Sequence, residues 1–265
     1  MQRCASSLSQ AASMSAPQQF TEWLTAHEHR DPVYGWVYRY HSRSDAHSIA
    51  LCGFILEDLL GACPELRRDA VTDKIIYGIN ARHTFPKGKK KTLDLAFGTA
   101  KTVHDTARFA DAIHGGELDR VLISCEAKTV MTEHGKSQPR VFDELSSSHE
   151  IVHQADRKAI AAGITVVNIA ETFVSPLRQK SPVLHISKHK QPHAAERMVN
   201  HLRGLPIRSS ARGTGFDAYA TIVVDCDNQG PAMLWTKPPA PQPGDADHYD
   251  SFVLRISKAY ASRFG

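Results

Sequence analysis

What the 265-residue chain lacks narrows its nature first. Its five cysteines (Cys4, Cys52, Cys63, Cys125, Cys226) are odd in number, scattered and without a CxxC pair. That pattern argues against a disulfide framework or a zinc ribbon and points to a reducing cytoplasm. No apolar run approaches the roughly 20 residues that span a bilayer, so no membrane partner is expected. Residues 1–19 are rich in Ser, Ala and Gln and carry no apolar signal-peptide core. Residues 1–18 therefore read as a mobile tail. Charge of one sign is also scarce: 32 basic against 28 acidic residues leave a net +4. A balance so slight neither demands nor excludes a nucleic-acid partner. What remains, 42% hydrophobic and 23% charged, is the profile of a folded domain with a sizeable core.

Along the chain, residues 17–28 read as a short helix, and the alternating Tyr34, Trp36, Tyr38 and Tyr40 as an extended aromatic stretch that packs in the core. Ser44 or Asp45 caps a helix running to Gly61 that is apolar nearly all round. On it, Ala46, Ala50, Gly53 and Glu57 follow helical spacing, a small-residue stripe that would lay the helix close to a sheet and point Glu57 inward. A strand over 72–80 leads to the lysine turn at 86–91 and a second strand over 92–97. There Leu93, Leu95 and Phe97 share one face, and Asp94 lies among small neighbours on the other. Residues 102–114 read as a helix ended by Gly115-Gly116, and 119–128 as a buried strand. A long helix over 138–162, with Val141, Leu145, Val152, Ala155 and Ala159 as its buried stripe and Gly163 as its stop, crosses to a parallel strand over 164–170. Residues 218–226 and 231–235 form a hairpin. The organisation expected is a domain over 19–236, a proline-rich linker over 237–249 and a terminal helix over 250–265 packed on the same domain. The fold class expected is α/β, a mixed central β-sheet flanked by helices.

The strand 119–128 ends in Glu126-Ala127-Lys128. Alternation places Glu126 and Lys128 on the same side, a carboxylate and an ammonium at the end of an apolar strand. With Asp94 on the preceding strand, two carboxylates could hold a hard divalent cation such as Mg²⁺, the Ala127 carbonyl supplying another oxygen. Such an ion polarises a phosphoryl oxygen and acidifies a bound water, and Lys128 could position that water and offset developing charge.

This set resembles the PD-(D/E)XK nuclease superfamily, to which many type II restriction endonucleases belong. The resemblance covers residues 45–171, with Leu93 rather than proline before Asp94. It implies a restriction endonuclease-like core, with Asp94, Glu126 and Lys128 as the catalytic set of an endodeoxyribonuclease. Mg²⁺ is the implied cofactor, with Mn²⁺ able to substitute. The metal ligands would be Asp94, Glu126, the Ala127 carbonyl and, as the acid of the preceding helix, Glu57. Double-strand cleavage would favour a homodimer acting on double-stranded DNA. Lys87, Lys89, Lys90 and Lys91 on the turn, Arg140 on the long helix, and Lys188, Arg208 and Arg212 are the expected DNA contacts. The last three lie in a segment, 176–215, with eight Lys and Arg against one acid, Glu196.

Two other classes stay open. His149-Glu150-Ile151-Val152-His153 matches HExxH, in which histidines at i and i+4 bind zinc with the glutamate as general base and Glu171 as a further ligand. A non-catalytic DNA-binding module on the same fold is the other. His185, His189 and His193 have helical spacing, but Pro192 makes a basic loop the better reading. Asp225 and Asp227 read as a hairpin shoulder.

Overall fold

The computed structural model describes residues 14–265, so the tail expected over 1–13 lies outside the described residues. The part of that tail over 16–18 belongs instead to helix α1 (Ala16–Ala26), whose first turn buries Ala16 and Pro17. The central sheet is built from β1 (Ile76–Thr84), β2 (Lys90–Val103), β3 (Gly116–Val130), β4 (Ile160–Asn168), β5 (Ala218–Asp225) and β6 (Met233–Leu234). Its spatial order is β6-β5-β4-β3-β2-β1. The pairs β1–β2, β2–β3 and β5–β6 are antiparallel, whereas β3–β4 and β4–β5 are parallel. The expected mixed α/β sheet with flanking helices is thus present. Parallel neighbours need covered crossovers, and α4 (His134–Ala155) and α5 (His193–Leu202) supply them on one face. On the other face lie α1, α2 (Ala46–Ala62), α3 (Pro64–Val71) and α6 (Tyr249–Phe264). Among the described residues no helix is long and apolar enough to cross a membrane.

Several boundaries differ from expectation, each for a physical reason. The segment 102–114 is not a helix. β2 runs on to Val103, and the chain reverses through Ala110 and Asp111, both with positive φ. Gly115 and Gly116 close this loop rather than stop a helix. A Cβ on Gly116 would strike the Thr102 carbonyl, and one on Gly115 the Asp105 carboxylate. Helix α4 begins four residues early and ends at Ala155, so Ala159 and Gly163 belong to the approach and body of β4. Gly163 is needed there because the rings of Tyr219 and Phe216 press to within 3.0 and 3.1 Å of where its Cβ would stand. Pro192 interrupts the helical spacing of His185, His189 and His193 as expected and stands at the N-cap of a helix over 193–202, whose Ala195, Met198, Val199 and Leu202 form a buried stripe. The proline-rich stretch is a strap rather than a free linker. Ala240, Pro241 and Asp247 are buried, and Arg203 pairs with Asp245 at 3.3 Å and with Asp247 at 3.1 Å.

A buried ion cluster sits where β4 and β5 begin. Asp217 accepts from Arg208 Nε and Nη2, both at 2.8 Å, from Arg263 Nη2 at 2.6 Å and from the Ala161 amide at 2.8 Å. His153 Nε2 lies 3.4 Å away. The Arg208 side chain is only 1% exposed and donates also to the Ala159 carbonyl at 2.7 Å. This overturns its expected role: Arg208 holds the sheet and is no surface contact for DNA. Burial alone would raise the Asp217 carboxyl, but His153, Arg208 and Arg263 hold it far below the usual carboxylate range. Removing one partner of a buried pair typically costs about 3–5 kcal/mol. Arg208→Ala should therefore lower the unfolding free energy, read from urea titration, by that order. Because the Asp217 carboxyl is depressed in the folded state, its contribution is full above the ordinary carboxylate range and is lost as pH falls from that range towards the depressed folded value. Wild type should lose more stability than Asp217→Asn between about pH 5 and 3 in urea titrations.

Candidate active site

The site forms where β2 and β3 separate. Their ladder stops at the pair Leu95–Cys125, so on that side the next outward amide of β3, that of Ala127, lacks a strand partner. Asp94 fills the gap: its Oδ2 accepts from the Ala127 amide at 2.8 Å. The N–H and C=O of one strand residue leave on the same edge, which turns the Ala127 carbonyl towards Asp94 as well. A kink sets this up. Asn80, opposite on β1, is left-handed (φ 50°), and β1 and β2 pair as Ile79–Leu95 and Ala81–Leu93 around it. The kink divides residues expected to share a face: Leu93 packs with the α4 cluster, whereas Leu95 and Phe97 join that of α2.

Glu126 is buried at 7% exposure and is bound on both oxygens. Lys128 Nζ lies 2.6 Å from Oε1 and Lys91 Nζ 2.9 Å from Oε2. Ser148 of α4 donates to Oε2 at 3.0 Å and accepts from Lys91 at 2.6 Å. Glu144, one turn before Ser148, stands 3.7 Å from Lys128 and is held by Arg140 at 3.1 Å. Burial and the nearby Glu126 push the Asp94 carboxyl up, against the pull of the Ala127 amide, Lys128 and Lys91. Burial also opposes ionisation of Glu126, but Lys128 and Lys91 outweigh it and hold that carboxyl below its ordinary value. Burial likewise disfavours the Lys128 ammonium, yet Glu126, with Asp94 and Glu144 beyond, raises its pKa. Lys128 is therefore a firm cation that donates hydrogen bonds, and a poor acceptor of a proton.

An open cleft of about 500 Å³ gives access. Its walls include Asp94, Ala127 and Lys128 of the sheet, Arg140 and Glu144 of α4, and Asp45 and His47 at the start of α2. Tyr40 closes one side. It is fixed by the wholly buried Asn228, which accepts from the Tyr40 amide at 2.6 Å and donates to its carbonyl at 2.9 Å. Burial, only partly offset by Thr129 and Arg140, pushes the Tyr40 hydroxyl up to about 12.

Of the expected residues, Asp94, Glu126, Ala127 and Lys128 come together, and Arg140 joins them on the wall. Glu57 does not. It is exposed, because α2 buries Leu51, Cys52, Ile55, Leu56 and Leu59 instead. A Cβ on Gly53 would touch nothing, so the small-residue stripe is no sheet contact. The acid that α2 brings to the cleft is Asp45, whose Oδ2 accepts from Asn80 at 2.7 Å. Lys87, Lys89 and Lys90 are exposed on the turn, as are Lys188 and Arg212 on their loops, and none of these five lines the cleft. Lys91, expected as a surface contact, is turned inward. Ser148 was missed, although its spacing from Val141, Leu145 and Val152 placed a lone hydroxyl on a buried stripe.

The donor set suits a hard cation that keeps several waters, being two carboxylates on adjoining strands and a carbonyl at an unpaired edge. Among the described residues no three His, Cys, Asp or Glu side chains form a ready-made cage. The HExxH residues do not supply one. His149 is buried against Phe216, with ring centroids 4.9 Å apart, and His153 faces the saturated Asp217, while Glu150 is exposed. Glu171 acts on Asp225, at the other end of β5 from Asp217, too far to join the histidines. No family model, curated protein or solved structure matches the chain.

Ionising Asp94 becomes costly as pH rises through its raised pKa. Asp94→Asn keeps an acceptor for the Ala127 amide and removes that cost. In EDTA at neutral pH this variant should melt no lower than wild type, and on the order of 2 °C higher. A lower melting point in differential scanning calorimetry would contradict the geometry given for Asp94.

Proposed function

We propose that the protein is a metal-dependent deoxyribonuclease of restriction type, with a restriction endonuclease-like core as in the PD-(D/E)XK superfamily. The observation that carries the reading is the convergence of Asp94 and Lys128 from adjoining strands on one open cleft, with the buried Glu126 paired to Lys128. The element order supports it too: α2, then three antiparallel strands bearing the acids and lysine, then α4 crossing to a parallel strand. Asp94, Glu126 and the Ala127 carbonyl would hold Mg²⁺ or Mn²⁺. When bound, the ion supplies Lewis-acid polarisation of a phosphoryl oxygen and a more acidic water. Lys128, held cationic, donates to the phosphate and offsets charge developing on it. Arg140 and Arg43 on the cleft wall attract the backbone. Each site cuts one strand, so a double-strand break calls for two copies, and a homodimer on duplex DNA follows from the reading.

The test is incubation with plasmid and phage DNA in Mg²⁺, Mn²⁺ or EDTA, with sequencing of the ends. Cleavage in either metal should disappear in EDTA and fall at least about 100-fold in Lys128→Ala and Asp94→Asn. His149→Ala and Arg212→Ala should keep it. DNA binding without cleavage under any divalent metal would leave a binding module in its place.

A further inference from the structure

Lys91 has no part in that mechanism, yet it is fixed at two points and more buried than Lys128. Its ammonium comes from β2, crosses to Glu126 Oε2 at 2.9 Å and is fastened by the Ser148 hydroxyl at 2.6 Å. Its side chain is 16% exposed, against 24% for Lys128. The serine is itself 3% exposed, and among the described residues its hydroxyl bonds only these two charges. Burying a lysine this way costs desolvation and side-chain entropy, which a surface phosphate contact would not require.

The charges of the centre then sum in an unusual way. Asp94 and Glu126 contribute two negative charges, and Lys91 and Lys128 cancel both. On the wall, Arg140 likewise offsets Glu144, Lys136 and Arg178 pair with Glu133, and Arg43 matches Asp45 in number. A divalent cation enters most readily where uncompensated carboxylates outnumber cations. Here it meets a neutral centre with an ammonium already on each oxygen of Glu126.

We propose that Lys91 is a resident competitor of the metal, holding Glu126 ionised and in place while keeping the free protein's divalent affinity low. This rests on the nuclease reading for the identity of the ligand. The missing negative charge is supplied by a phosphodiester. Metal capture is therefore conditional on substrate, and the regulatory element is a charge on β2 rather than a moving lid. Lys91 is a positioning residue in this scheme, acting on the metal through Glu126.

The experiment is titration of the EDTA-stripped full chain with Mn²⁺, read as free Mn²⁺ by electron paramagnetic resonance. It is run alone and with a short duplex carrying phosphorothioate linkages. Wild type alone should bind weakly, and the duplex should tighten binding at least about tenfold, because it restores negative charge beside the ion. Lys91→Met and Lys91→Gln remove the competing charge and should tighten binding of the protein alone by about tenfold or more. Lys91→Arg keeps the charge and should stay within about threefold of wild type, as should Ser148→Ala, which frees the ammonium without removing it. Tight Mn²⁺ binding by wild type alone overturns the proposal, as do neutral variants that bind no tighter than wild type. If neither neutral variant folds, the wild-type comparison with and without duplex decides. The expected Mn²⁺ pattern without any DNA cleavage would defeat the nuclease reading and leave the role of Lys91 standing. No Mn²⁺ binding in any sample would defeat both.

Discussion

The site depends on one constraint: a glutamate carboxylate placed at 7% exposure on an interior strand, where two strands of the sheet part. An unpaired ion there would cost several kcal/mol. Everything around it answers that cost. Lys128 comes from two residues on along the same strand, Lys91 from the neighbouring strand, and Ser148 from the crossover helix. Three separate elements are thus fixed relative to one another by a single functional group. The same logic operates where β4 and β5 begin, with the same signs: one carboxylate, Asp217, gathers two guanidinium groups and a histidine. α4 takes part in both, through Ser148 and Glu144 on one side and His153 at its last turn. That helix therefore transmits position between the cleft and the base of the sheet.

The pKa directions decide how the parts can be used. Glu126 stays ionised and Lys128 stays protonated, so neither exchanges a proton readily near neutral pH. Asp94 is the group under tension, raised by burial and by Glu126. A cation arriving between the two carboxylates would relieve that tension. The centre is thus arranged to gain from positive charge at Asp94, while at Glu126 it is already satisfied.

Much of this was legible from residue patterns, and the failures have identifiable causes. The apolar run over 119–128, with its charged end, and the acid at Asp94 pointed to one another because both depend on local alternation. So did the buried stripe Val141, Leu145 and Val152. Lys91 was misread because it sits in a run of lysines, whose usual place is solvent, and because the kink at Asn80 breaks the alternation that would have assigned its side. Arg208 was misread for a related reason. A basic segment suggests a surface, and nothing local announces that Asp217, nine residues later, lies in the core beneath it. The loop over 104–115 imitated a helix in spacing, yet its glycines serve close backbone approach. Long-range pairing, left-handed residues and buried charges escape periodicity, and those are the features that shape the cleft.

The arginine at position 263 reaches back to a carboxylate that stands just before β5. The last helix is therefore a closing clasp on charges buried by strands made much earlier. During synthesis, Asp217 and Arg208 emerge well before the residue that completes their shell. Without α6 the Asp217 shell at the base of the sheet lacks its second guanidinium, so the last helix completes a charge balance set up by distant parts of the chain.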